Sequence, residues 1–313
     1  MSTQFTRLAA AALLLVATAA TPTYSQDAKA AEVIAKTRKA LGDRKLEALK
    51  TLTAQAAMDR NIGSMQTSSE IELFIEMPDK YLRSEVSRGM MNMTMHTGFN
   101  SGKAIMPGGA NMSVGPGGAM VFRMGPGGAV HGEGEKPTPE QLAQMNEASL
   151  RTARADVSRM MLGWFGAAHP SLNAEYTYAG EAESPDGRAH VIDVRGNDGF
   201  EARLFIDQND HLPLMVTYKA RQPRIMTTGG PGTMTRGAEP GGVNVQEAMA
   251  RQAAEQPLSD FTLFFDDWRE VDGLAFPHTM RRAAAGETIE EWVFGKVTVN
   301  SKIDPAKFAV EAK

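Results

Sequence analysis

The chain has 313 residues, a formal net charge of −4 at neutral pH and no cysteine. The lack of cysteine excludes disulfides, thiolate catalysis and cysteine-ligated metals. The charge is mild and no cluster of lysine or arginine stands out, so a nucleic-acid partner is not expected, because phosphate binding needs a basic face.

The first residues have the order of an export signal. Arg7 is the only charge in residues 1–24, an apolar run covers residues 8–20, and small residues follow up to Ser25. A charge, an apolar run and small residues in this order are typical of a secretory signal, and the run is too short to span a bilayer. We expect residues 1–25 to be a cleaved signal peptide and residues 26–313 to be a single periplasmic domain without a transmembrane segment.

Two helices are predicted. Residues 27–41 carry apolar residues at spacings of three to four and end at Gly42, a natural helix stop. A longer helix has Thr138 as its N-cap and Pro139 at its first position, and Gly166 ends it. The apolar stripe of this second helix includes Val157, Met161 and Trp164.

Strand patterns fill most of the remaining chain. Ile71, Leu73 and Ile75 alternate with Glu70, Glu72 and Glu76, which predicts a sheet with one solvated face. Similar runs separated by turn residues bring the total to about ten strands. Their order predicts an α+β fold built on an antiparallel meander. We expect Leu214 and Val216 among the inward-facing residues.

Two segments interrupt the strands. Residues 107–137 and 228–242 are rich in glycine, proline and methionine, and a Gly-Pro-Gly-Gly run begins at both Gly115 and Gly125. Such composition buries little apolar surface, so we expect flexible insertions. Neither run is a phosphate loop, since the Gly-Lys-Ser/Thr ending is missing.

No catalytic constellation is visible. The six histidines are scattered, and neither a Gly-x-Ser-x-Gly nor a His-Glu-x-x-His motif occurs. We therefore expect a protein that is not an enzyme and has no cofactor.

Methionines at 91, 93 and 95 suggest one alternative. Their period of two places Met91, Met93 and Met95 on one strand face, and thioethers suit Cu(I). His96 falls on the opposite face, which weakens a joint site. Unbranched methionines also fill irregular apolar interiors, so packing or pocket lining is the stronger interpretation.

Several motifs together resemble the periplasmic lipoprotein-carrier superfamily, the Lol-type unclosed β-barrel. They are a helix ending at Leu41-Gly42 after a signal, the run from Pro78 to Arg83, a glycine turn at residues 97–103, a Val-Asp-Gly turn at residues 271–273 and an Ile-Asp-Pro-x-x-Phe ending at Phe308. The resemblance implies an unclosed antiparallel β-barrel of about 10–11 strands, with helices covering its concave face.

The resemblance also implies a function. An apolar cavity under the helices would bind acyl chains or lipoproteins without catalysis. The residues that we expect to line this cavity are Leu73, Ile75, Met91, Met93, Met95, Val157, Met161, Trp164, Leu204 and Trp292. An envelope interaction or sensor module on the same fold, with a protein partner, is the alternative, as is Cu(I) binding by the methionine strand.

Overall fold

In the computed structural model of the protein, the described residues are 27–62, 65–87, 93–105, 112–114, 120–123, 138–184, 187–221, 226–228 and 258–309. The predicted signal peptide, Met91 and most of the two predicted insertions lie outside them.

The described chain consists of three helices and fifteen strands. The helices are α1 (Ala28–Leu41), α2 (Arg44–Glu47) and α3 (Pro139–Phe165). The strands of the N-terminal half are β1 (Thr51–Ile62), β2 (Met65–Glu76), β3 (Lys80–Ser87), β4 (Met93–Asn100), β5 (Lys103–Ile105), β6 (Met112–Val114) and β7 (Met120–Arg123). The strands of the C-terminal half are β8 (Glu175–Ser184), β9 (Gly187–Gly196), β10 (Phe200–Asp207), β11 (Pro213–Ala220), β12 (Met226–Thr228), β13 (Ser259–Val271), β14 (Leu274–Ala284) and β15 (Glu287–Val299).

Twelve of these strands form one antiparallel sheet. Their order is β5-β4-β3-β2-β1-β15-β14-β13-β11-β10-β9-β8, so the sheet has two edges, β5 and β8. The central pairing of β1 with β15 joins the two halves of the chain. The predicted α+β fold with an unclosed antiparallel sheet is confirmed.

The sheet curls strongly around α3. Arg154 lies over the ring of Phe99 on β4, whereas Arg159 lies over the ring of Tyr218 on β11. Five helical residues rise only ~7.5 Å. Seven strand steps across a flat sheet would span ~34 Å. Both contacts are possible because the sheet bends into a half-barrel, and α3 lies on its concave face.

Helix α1 also covers the concave side. Asp27 caps it by accepting hydrogen bonds from the amides of Lys29 and Ala30, and its second carboxylate oxygen accepts one from the amide of Tyr178 on β8. Gly42 ends the helix with φ of 138°, and a side chain at this position would collide with Leu274. The terminal glycine agrees with the sequence prediction, whereas the role of Asp27 as the N-cap was not predicted.

The convex face carries a smaller apolar cluster. Leu82, Ile105, Ile303 and Phe308 pack together under the C-terminal segment, which ends in a short 3-10 turn. Residues 301–309 therefore close the outside of the half-barrel.

Three details differ from the sequence prediction. Strands β1 and β5 were not predicted, which explains why the sheet has twelve strands and not about ten. Leu214 faces outward and is 40% exposed, because a β-bulge at the β10–β11 pairing shifts the register beside it. Finally, β6, β7 and β12 form a small three-stranded sheet in and beside the segments that we expected to be irregular.

Candidate functional site: the concave face under helix α3

Most of the predicted cavity residues meet on the concave face. Strands supply Leu73, Ile75, Leu204 and Trp292, and α3 supplies Val157, Met161 and Trp164; these seven belong to one buried apolar cluster. Met95 on β4 is also buried, and Met93 begins the same strand opposite Ser87. The sheet and α3 therefore share one apolar contact surface, which we call the apolar floor.

The apolar floor is closed to water in this conformation. Leu73, Val157 and Leu204 expose 0% of their surface, and Trp164 and Trp292 expose 1%. A side chain that bordered a water-sized cavity would keep part of its surface accessible. An acyl chain could reach these residues only if α3 moved, so their role as a binding site stays a prediction.

The C-terminal part of α3 is packed tightly onto the sheet. Gly163 faces the ring of Phe265 on β13, and a β-carbon at this position would overlap that ring. Trp164 packs against Phe276 and Phe294, with ring centroids 5.4 and 6.1 Å away. Glycine at position 163 is therefore needed for the close approach of helix and sheet.

The N-terminal part of α3 is held mainly by polar contacts. The side-chain oxygen of Asn146 accepts a hydrogen bond of 2.8 Å from the amide of Ala104, and its side-chain amide donates to the carbonyl of Gly102 at 3.2 Å. Arg154 donates to the carbonyl of Ser101 at 3.4 Å. None of the side chains described between positions 139 and 149 is buried. Opening this end of the helix would therefore expose no buried side chain from these positions.

A second part of the concave face is charged. We call it the arginine cluster; its members are Arg60, Arg83, Arg159, Arg282, Glu85, Glu290 and Asp156. Arg60 joins two carboxylates, donating to Glu85 at 2.9 Å and to Glu290 at 2.8 Å. Arg159 donates to Asp156 at 2.8 Å. Register pairs Glu290 with both Arg60 and Arg282, so these groups lie on adjacent strands.

The cluster holds its charges despite burial. Burial opposes ionisation of Glu290, but the positive charges of Arg282, Arg60 and Arg83 outweigh it and lower the pKa of Glu290 to about 2. Burial also opposes the charge of Arg282, yet Tyr218 and the nearby carboxylates raise its pKa. Glu290 and Arg282 are therefore both ionised at neutral pH.

The arginine cluster was not predicted from the sequence. The signal was present, because Arg60 and Glu290 stand two positions from the inward-facing Met58 and Trp292, and alternate residues of a strand share a face. An apolar floor beside a charged cluster suits a ligand that is itself partly apolar and partly charged.

The structure does not test the Cu(I) site predicted on the methionine strand. Met95 is buried, and His96 lies on the opposite face, as its position in the strand predicted. Within the described ranges, no three or more histidine, aspartate or glutamate side chains are placed to hold a metal. Met91 is outside these ranges, so the Cu(I) alternative stays a prediction.

The convex face has a separate groove. It has a volume of 360 Å³ and lies between the sheet and the C-terminal segment, with Gln55, Glu72, Phe74, Lys296 and Lys307 among its lining residues. It is on the other side of the sheet from the apolar floor and contains none of the predicted site residues except Leu73.

Comparisons with known proteins find similar structures only. No family model and no curated protein matches the chain. A LolA superfamily protein from Nitrosomonas europaea is 9% identical, with a TM-score of 0.48 over 90% of this chain and 97% of that chain. A DUF1329 family protein from Desulfovibrio piger is 10% identical, with a TM-score of 0.45 over 89% and 96%.

A third match is an outer membrane lipoprotein-sorting protein domain from Vibrio parahaemolyticus. It is 11% identical, with a TM-score of 0.43 over 90% of this chain and 96% of that chain. The first and third matches belong to the groups that the sequence motifs resemble. None of the helices in the described ranges is long and apolar enough to cross a membrane.

Proposed function

We propose that the protein is a periplasmic carrier that binds the acyl chains of a lipid or lipoprotein between the concave face of its sheet and α3. The observation that carries the proposal is the apolar floor, where one helix covers the apolar side of a curled, unclosed sheet. In this proposal residues 1–25 direct export and residues 26–313 form the carrier domain. The activity is reversible binding and needs no catalytic residue.

The energetics favour an exchange of one apolar cover for another. Burying a methylene group is worth ~0.8 kcal/mol, so a chain with twelve buried methylenes gains ~10 kcal/mol. Opening α3 removes apolar contacts of Val157, Met161 and Trp164 with the sheet, and an inserted chain replaces them. The ligand then binds reversibly, because its gain is offset by the contacts that the helix loses.

The test is a titration of delipidated mature protein with hexadecanoic acid, followed by tryptophan fluorescence. The chain has three tryptophans; replacing the half-buried Trp268 by phenylalanine leaves Trp164 and Trp292, which both face the apolar floor. We expect the tryptophan fluorescence to change saturably with hexadecanoic acid. A fluorescent fatty acid should also bind saturably, and hexadecanoic acid should displace it.

The matched variants are Met161→Gln and Leu214→Gln. The first places an amide in the apolar floor and should weaken binding at least tenfold, because a buried amide without a partner is costly. The second makes the same kind of change at an exposed position and should leave binding unchanged. Absence of saturable binding to the parent protein, with its fold intact by circular dichroism, would exclude the proposal.

A further inference from the structure

The arginine cluster has more positive than negative groups. Its four arginines face three carboxylates, which leaves one positive charge. The carboxylates are already engaged: Arg60 binds Glu85 through two nitrogens at 2.9 and 3.2 Å and also binds Glu290, while Arg159 binds Asp156. Arg83 has no carboxylate within 4 Å among the described residues and lies over the ring of Trp292 at 5.9 Å.

The cluster also has unused donors. Within the described part of the chain, the Nε atoms of Arg159 and Arg282 and the indole nitrogen of Trp292 are buried without a hydrogen-bond partner. One acceptor is also left over, since Glu290 Oε2 lies 3.5 Å from Arg282 without forming a hydrogen bond. Buried donors without acceptors are unfavourable and uncommon in native proteins. One of these donors belongs to Trp292, whose ring lies 5.9 Å from the Arg83 guanidinium. Donors of this kind in a cluster with excess positive charge suit a ligand that only accepts hydrogen bonds.

The position of Arg83 connects the cluster to the apolar floor. Arg83 is paired across the sheet with Leu73, one of the floor residues, and Trp292 touches both regions. Burial raises the pKa of the neighbouring Tyr81 hydroxyl to about 12, so this group stays protonated at neutral pH. A chain lying on the floor would therefore have its end within reach of cationic and neutral donors.

We propose that Arg83 and the unused donors around it form an anion subsite that binds the carboxylate or phosphate headgroup of the acyl ligand. The single excess positive charge favours a headgroup with one negative charge. This inference rests on the proposed acyl-chain binding and specifies its ligand class as anionic amphiphiles.

The test compares ligands that share a chain and differ in the headgroup. Hexadecanoic acid and hexadecanol are each used to displace a bound fluorescent fatty acid from the protein. The proteins compared are the parent, Arg83→Gln, Arg83→Lys and Arg281→Gln. Arg281 is the control, because it is on the outer face of β14, paired with Asp266 at 3.0 Å. A charge-assisted hydrogen bond contributes enough for a preference of about tenfold or more.

We expect the parent and Arg281→Gln to bind the acid about tenfold more tightly than the alcohol. Arg83→Lys should keep part of this preference. Arg83→Gln should lose the preference while its affinity for hexadecanol stays the same. Equal binding of acid and alcohol by the parent would overturn the anion subsite and leave the carrier function standing. An equal loss of both ligands in Arg83→Gln would show a structural role and would also overturn it. Binding of neither ligand by the parent would reject the carrier function and the subsite together.

Acetate and inorganic phosphate, each added alone, distinguish a headgroup from a free anion. We expect neither to change the melting temperature at millimolar concentration. An Arg83-dependent rise in melting temperature with either ion, together with equal binding of acid and alcohol, would assign the subsite to free anions and overturn the headgroup proposal.

Discussion

Arg60 links carboxylates from strands on both sides of β1. Glu85 stands on β3 and Glu290 on β15, and both side chains are almost fully buried. Removing one partner of a buried ion pair leaves an uncompensated charge, which costs about 3–5 kcal/mol. The cluster is thus a strong constraint on how these strands are arranged.

Replacing Glu290 with glutamine should lower the free energy of unfolding at pH 7 by about 3–5 kcal/mol. The reason is that Arg60 and Arg282 lose a shared negative partner. Urea unfolding measures the change. Glu291→Gln is the control, because Glu291 is the exposed neighbour on the opposite face of the same strand, and we expect a change below about 0.5 kcal/mol.

The same variant should alter the acid dependence of stability. Folding lowers the pKa of Glu290 from 4.5 to about 2, so its contribution is present above pH 4.5 and is lost as the pH falls towards 2. This shift corresponds to about 3 kcal/mol. Stability curves of the parent and Glu290→Gln should therefore converge below pH 4.5; curves that stay parallel would contradict the assignment.

His169 affects a different pH range and must be separated from Glu290. Its Nδ1 accepts a hydrogen bond from the amide of Ser171, and burial lowers its pKa to about 4. The unfolded chain therefore takes up a proton before the folded one does, and stability falls from pH 6.5 towards 4 in parent and Glu290→Gln alike. The difference in stability between the parent and Glu290→Gln below pH 4.5 therefore still reports on Glu290 alone.

Among the elements, α3 shows what a sequence can and cannot specify. Its ends were predictable, because a proline at the first position and a terminal glycine act locally. The closeness of Gly163 to Phe265 was not, since the two residues are about a hundred positions apart and meet only once the sheet has curled.

Gly163→Ala tests the close packing of α3 against the sheet. The added methyl group overlaps the ring of Phe265, so helix or ring must move, and overpacking of this kind costs about 1–3 kcal/mol. We expect that loss in the free energy of unfolding, measured by urea denaturation. Gly295→Ala is the control, since a β-carbon there meets nothing within 4 Å. Equal stability of both variants would contradict the described packing.

Strand β1 could not be predicted from its local sequence. Its alanines and glutamine have weak preference for strands, yet it lies at the centre of the sheet between β2 and β15. Its structure is decided by long-range pairing, which a local pattern does not contain. The inward charges of the arginine cluster were missed for a related reason, as charged residues are expected to face water.

For the whole molecule, the class of fold was predictable and the state of the site was not. Alternating patterns, short turns and the order of the motifs indicate an unclosed antiparallel sheet with covering helices. Whether the covering helix leaves a cavity depends on how side chains interlock, and here Val157 and Trp164 fill the space. Binding of an acyl chain to the apolar floor therefore requires that α3 moves.

The most direct test is to lock α3 onto the sheet. The side-chain oxygen of Asn146 accepts a 2.8 Å hydrogen bond from the amide of Ala104, so α3 and β5 are in contact at these two positions, and a disulfide between them would tether the helix to the sheet. Because the chain has no cysteine, Ala104→Cys combined with Asn146→Cys introduces one defined pair, and Ala104→Cys alone is the control.

Binding of hexadecanoic acid is then measured before and after reduction, with disulfide formation verified by mass spectrometry. We expect at least a tenfold loss of affinity in the oxidised double variant, full recovery on reduction, and no effect of redox state on the control. Equal affinity of the oxidised and reduced double variant would contradict a ligand site that opens by movement of α3.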